Sequence, residues 1–287
     1  MKKIAVLPSL LTLGNTFCGF LAIVKVADAA QAFAASDSAL FNSRLETAVG
    51  LIFLAMLFDA LDGKVARLTH QATDFGAQLD SLSDAITFGV APAAAAKVLL
   101  ETEGGKIMPF LVRHPRVLFM TAAVYALFAV MRLARFNVET ADHEEESHYR
   151  FKGLPTPAAG GLVAAAVLFW LHRGDEILSS LPPWIFDGVL RLLPWTLVLL
   201  GLAMISPLPY PHLVNVLFKR RKSFPFLAGL VLVVVLATIS YEMGLLALLL
   251  VYFLAGPIWG AWEAARTRRA RRRRARLLEG PPRSAAG

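Results

Sequence analysis

Residues 58 to 84 read FDALDGKVARLTHQATDFGAQLDSLSD and follow an apolar run, LETAVGLIFLAML. On a helix, Asp59 and Asp62 stand one i,i+3 step apart, with the small residues Gly63 and Ala66 continuing their face. Gly76, Asp80 and Asp84 follow i,i+4 steps, so a second pair of carboxylates shares a face with a glycine. A tight link between the two segments brings both pairs to one end of a hairpin. Four carboxylates facing one another cannot all stay ionised without compensation, and Lys64 and Arg67 supply at most two charges. The all-oxygen donor set matches a hard divalent cation such as Mg2+ or Mn2+, and two ions fit the ligand count better than one. Paired metals suit displacement at phosphorus. A single aspartate here would read as a helix cap, as Asp74 before Phe75 does. Four acids on facing sides at the mouth of apolar helices read as a reactive centre.

The elements that must hold these acids are apolar. The chain has 287 residues, 56% hydrophobic and 17% charged. That composition excludes a water-soluble domain and implies an all-α polytopic membrane protein. At roughly 20 residues per crossing, about eight transmembrane helices account for more than half the chain. Hydropathy places spans near 8–30, 45–68, 79–100, 117–136, 157–172, 189–207, 225–241 and 244–262. The first apolar stretch has no small-residue cleavage site and is read as a retained span. Cys18 is the only cysteine, which excludes an internal disulfide and a multi-cysteine metal site. Prolines 155, 157, 182, 183, 207, 209 and 211 fall between the spans as punctuation.

The formal net charge is +8, and nine of the 29 basic residues lie between Arg266 and Arg283. They directly follow the last span, so they read as a topology anchor that also touches anionic headgroups. The tract has no aromatic residues for stacking, which argues against nucleic acid as a partner. Lysine and arginine bias places both termini, and the aspartates with them, on the cytoplasmic side of a cell (inner) membrane. The chain divides into a membrane domain, 1–263, with the reactive block at 59–84, and a basic tail, 264–287, expected to lose structure beyond its first turns. DHEEES at 142–147 reads as a solvated acidic loop.

Asp59, Asp62, Gly63, Ala66, Arg67, Gly76, Asp80 and Asp84 match, without a gap, the pattern D-x2-D-G-x2-A-R-x8-G-x3-D-x3-D. In this the chain resembles the CDP-alcohol phosphotransferases. The resemblance implies that family's fold, a homodimer, a dinuclear metal site, and transfer of a substituted phosphoryl group to an acceptor hydroxyl with release of CMP. It also implies that Asp59, Asp62 and Asp80 hold metal, while Asp84 binds the second ion and takes the proton of the acceptor. By the same resemblance Gly63, Ala66, Arg67 and Thr73 contact the nucleotide, as do Leu7, Pro8, Ser9, Leu10 and Thr12 on the first helix. LPSLLTLGNTFCGFLAI, RLARFNV with FKGLPTPAAGG, and MISPLPYP resemble the branch of bacterial phosphatidylserine synthases. That branch implies CDP-diacylglycerol and L-serine as substrates.

Serine is a zwitterion, so its carboxylate needs a cation and its ammonium an acceptor. Arg132, Arg135, Asn137 and Lys152 are the candidates, with positive-inside anchoring as the other reading of the basic ones. Gly160 and Gly161 read as a close helix contact. Glycerol 3-phosphate, an inositol phosphate and choline are the rival acceptors. A proton or ion transporter is the rival class, and it predicts related halves with broken helices near the midplane, which this sequence does not show.

Overall fold

The computed structural model describes residues 6–69, 73–141, 153–208, 210 and 240–278. The described residues form helices joined by short turns, with no strand among them, as expected of an all-α membrane protein. Helix α1 (Val6–Ala34) turns through Ser36, whose φ of 61° is left-handed, into α2 (Ser38–Leu68). Asp37 caps α2 by accepting the Leu40 amide hydrogen at 2.9 Å. This start lies earlier than the expected 45, because the cap makes SALFNSR the first turns of the helix. Small residues let α1 and α2 lie close along their length: Ala22, Ala29, Ala48 and Ala55 are wholly buried.

α3 (Asp74–Asp84), a wide turn of π-helix (Ala85–Val90) and α4 (Ala91–Glu103) follow one another as a single rod. Pro92 accounts for the wide turn. It has no amide hydrogen for the carbonyl of Phe88, four residues earlier, and its ring crowds that carbonyl. The Tyr125 hydroxyl, from α6, donates to the Phe88 carbonyl at 2.8 Å instead. A short α5 (Pro109–Arg113) leads into α6 (Pro115–Ala141).

Helix α7 (Thr156–Leu171) is the centre of the bundle, with every side chain from Ala158 through Trp170 buried. A Cβ on Gly160 would lie 3.0 Å from the Phe88 carbonyl oxygen, so this glycine sets the approach of α7 to the wide turn. α7 is entered through Gly153, at φ 91°, where a Cβ would meet the Met204 carbonyl oxygen at 2.2 Å. α8 (Pro183–Ile205) packs on α6, and α9 (Tyr241–Leu278) on α7.

Five stretches among the described residues are long and apolar enough to cross a membrane: Val6–Ala34, Asp74–Glu103, Pro115–Val138, Pro183–Ile205 and Tyr241–Gly260. Two further expected spans, 45–68 and 157–172, are also helical. α2 carries its polar residues along with its apolar ones, and α7, at 16 residues, is about 24 Å long and sheathed by its neighbours. The expected span at 225–241 lies outside the described residues apart from its last two, as does the 142–147 loop. Past the last span, α9 runs on to Leu278. Arginine, alanine and leucine are strong helix formers, and the span supplies a ready nucleus for the tail.

Candidate active site

The last turns of α2 and the first turns of α3 meet as the spacing predicts. Asp59, Asp62 and Asp80 each present a carboxylate oxygen within 4.8 Å of the other two. Asp62 is buried, and Asp59 and Asp80 are half-buried. Asp80 Oδ1 is buried with no hydrogen-bond partner. A buried carboxylate oxygen without a donor is costly unless a cation faces it. Three convergent carboxylates, one of which carries an orphaned oxygen, therefore fit a divalent cation by donor type and by need.

Asp84 is buried as well, at 6% exposure, close enough to Asp59 and Asp80 for their charges to act on it. The positive charge that reaches it belongs to Arg132 on α6, itself only 8% exposed. Arg132 Nη1 donates to Thr156 Oγ1 at the start of α7, 3.0 Å away, while its Nε is buried without a partner. Arg132 is thus held by α7 with one guanidinium edge still to be satisfied.

Helix α1 supplies the other wall. Thr12 donates to Asp62 Oδ2 at 2.8 Å, so a residue expected against the nucleotide also orients an acid. Asn15 Nδ2 donates to Asp84 Oδ1 at 3.3 Å. Ser83 and Thr87 send hydroxyls to the carbonyls of Thr12 and Asn15, both at 3.2 Å. Pro8, Ser9, Thr12 and Asn15 are buried along one stripe, whereas Leu7 and Leu10 are exposed on the other side of α1. Asn15 and its link to Asp84 were not read from the sequence. The available signal was a lone amide in an apolar run, in helical step with Pro8 and Thr12.

The remaining expected residues are placed as follows. Gly63 is exposed and a Cβ on it would meet nothing within 4 Å, so the α2 backbone is open to an approaching group there. Lys64 and Arg67 are exposed and Ala66 is half-buried on the same end of α2. Thr73, not Asp74, is the cap of α3: its hydroxyl accepts the Gly76 amide hydrogen at 3.1 Å, and Asp74 is the first helical residue. The hydroxyl can reach the third amide from the cap position, which is the geometry capping requires.

Arg135 Nη1 donates to the Ile205 carbonyl at the end of α8, 2.8 Å away. Asn137 accepts from Ser81 at 3.0 Å and donates to Gln78 at 3.2 Å, tying α6 to α3. Of the described serine candidates, Arg132 is thus the one whose charge acts on the aspartates. Lys152 lies outside the described residues.

Residues 5–205 match the profile of the family described as CDP-alcohol phosphatidyltransferase. A CDP-diacylglycerol–serine O-phosphatidyltransferase of Helicobacter pylori (strain J99) is 32% identical over 240 residues, covering 83% of this chain and 86% of that one. The protein of the same name from Methanocaldococcus jannaschii is 30% identical over 218 residues, covering 76% and 80%. That of Bacillus subtilis is 34% identical over 155 residues, covering 54% and 71%. With the profile spanning most of the membrane helices and the acidic pocket formed where its motif predicts, the chain belongs to the CDP-alcohol phosphatidyltransferase family.

Proposed function

We propose that the protein is a phosphatidylserine synthase, which moves the phosphatidyl group of CDP-diacylglycerol to the hydroxyl of L-serine and releases CMP. The observation that carries this reading is the meeting of the α2 and α3 aspartates beside the buried, half-satisfied guanidinium of Arg132. The names of the relatives favour serine over other acceptors.

In the proposed reaction, the serine Oγ attacks the phosphorus that carries diacylglycerol. The bond from that phosphorus to the bridging diphosphate oxygen breaks, the oxygen leaves with CMP, and the hydroxyl proton passes to Asp84. Two Mg2+ or Mn2+ ions held by Asp59, Asp62, Asp80 and Asp84 would, when bound, offset charge on the diphosphate and the leaving CMP. The open backbone at Gly63 and Ala66, with Arg67, Thr73 and the α1 stripe from Leu7 to Thr12, receives the nucleotide. The free edge of Arg132 receives the serine carboxylate, and burial makes that pairing selective for an anion. Arg135, Asn137 and Lys152 are less direct candidates. The site opens to the cytoplasm of a cell whose inner membrane holds the protein, both termini lie on that side, and the enzyme works as a homodimer.

Purified protein with CDP-diacylglycerol, Mn2+ or Mg2+, and labelled serine, glycerol 3-phosphate, inositol phosphate or choline tests the reading. Serine-dependent CMP release with labelled phosphatidylserine is expected. CMP release that depends on glycerol 3-phosphate and ignores serine overturns the choice of acceptor.

A further inference from the structure

Asn15 is 0% exposed in the stripe of α1 that faces the acids. Its amide is used on one side only: Nδ2 donates to Asp84 Oδ1, and its own Oδ1 is buried with no partner. A carboxylate can only accept, so the donor end of the amide is the end that must face Asp84. A leucine of similar outline would fill the same space without leaving a buried carbonyl unsatisfied. An asparagine here leaves one buried carbonyl unsatisfied, and what it supplies in return is one N–H at one oxygen of Asp84.

The surroundings make that N–H a fixed one. The Asn15 backbone carbonyl accepts the Thr87 hydroxyl, from the wide turn just beyond Asp84. One turn further along α1, a Cβ on Gly19 would lie 2.2 Å from Thr87 Oγ1 and 2.9 Å from its Cα. α1 thus lies against the segment that follows Asp84 too closely for either to slide.

We infer that Asn15 is a positioning residue for the transfer step. It pins Oδ1 of Asp84 so that the second oxygen stands toward the acceptor hydroxyl. Asn15 touches neither substrate; it acts through Asp84, and this assignment rests on the reaction proposed above.

The test compares full-length Asn15→Leu and Asn15→Asp with the unaltered protein in detergent, measuring kcat, both KM values and the thermal midpoint. Leucine keeps the volume and removes both polar ends; aspartate keeps the outline and replaces the donor with an acceptor. Loss of a group that orients a reactive one typically costs about 10–100-fold in activity, so kcat of Asn15→Leu is expected to fall in that range. Its KM values for both substrates are expected to stay within about twofold, because binding contacts are untouched. Its thermal midpoint is expected to stay close to that of the unaltered protein, since removing the orphaned carbonyl offsets the donor lost to Asp84 Oδ1. Asn15→Asp is expected to lose at least as much turnover.

Unchanged kcat in either variant overturns the assignment. So does a fall in kcat of Asn15→Leu that comes with raised KM values for both substrates, which is the signature of a packing role. If the unaltered protein uses another acceptor in place of serine, the functional reading fails, and the Asn15 comparison is made and decided on that acceptor. If no acceptor supports CMP release, both fail together.

Discussion

Asp84 and Arg132 are opposite charges, both nearly closed off from solvent, and each has an unequal set of partners. Asp84→Asn keeps the shape and removes the proton acceptor, so kcat is expected to drop by about 10²–10⁴-fold while nucleotide binding persists. CMP release set against equilibrium binding of CDP-diacylglycerol separates the two. Arg132→Lys keeps the charge but loses the planar edge that carries the free Nε. The serine KM is expected to rise by about tenfold or more with that for the liponucleotide unchanged, read from initial rates at varied serine. The aspartates were legible in the sequence because helical spacing alone decides that Asp59 shares a face with Asp62 and Asp80 with Asp84. Asn15 was not, because its partner lies 69 residues away and no local rule pairs them. Arg132, Arg135 and Asn137 could be assigned to one end of a helix but not to an azimuth. Only packing turns Arg132 toward the acids and Arg135 onto the end of α8.

At the scale of elements, the rod from Asp74 to Glu103 read as a single span near 79–100, and its wide turn was missed. The legible clue was Pro92, whose missing amide hydrogen strands the Phe88 carbonyl. Tyr125 answers that loss from α6, and the tyrosine is wholly buried. Tyr125→Phe is expected to destabilise the bundle by about 1–3 kcal/mol, because the buried carbonyl loses its hydroxyl partner. A lowered thermal midpoint in detergent, with kcat of the remaining folded enzyme little changed, is the outcome to look for. Thr73 shows why caps are hard to place from sequence alone: Thr73 and Asp74 are adjacent residues of capping type, and only the chain's entry angle selects between them.

For the whole molecule, apolar composition and span length gave the class, while the number of crossings was blurred by helices of unusual make-up. α2, with polar residues along its length, and α7, with only 16 residues, are nonetheless legible as spans near 45–68 and 157–172, and both are helices of the bundle. The end opposite the acids is gathered around His172, whose Nε2 lies 3.4 Å from Glu46 and whose Nδ1 lies 3.5 Å from Glu242. Glu46 stands roughly 20 Å along α2 from Asp59, at 1.5 Å per residue. The basic end of α9 carries none of the residues assigned to the site, so ending the chain after Arg266 is expected to leave turnover in detergent within about twofold. Retention on vesicles rich in anionic lipid is expected to fall by comparison, which co-sedimentation measures. The wide turn ahead of Pro92 has one more effect. Each residue advances a helix by about 100°, so the slack taken up there acts like the offset between two cams on one shaft. The acids of Asp80 and Asp84 point at α1 and the end of α2, while the alanines past Val90 bear on α1, α6 and α7. Reactive head and structural stem therefore keep a fixed angular offset on one continuous rod, each aimed at its own set of neighbours.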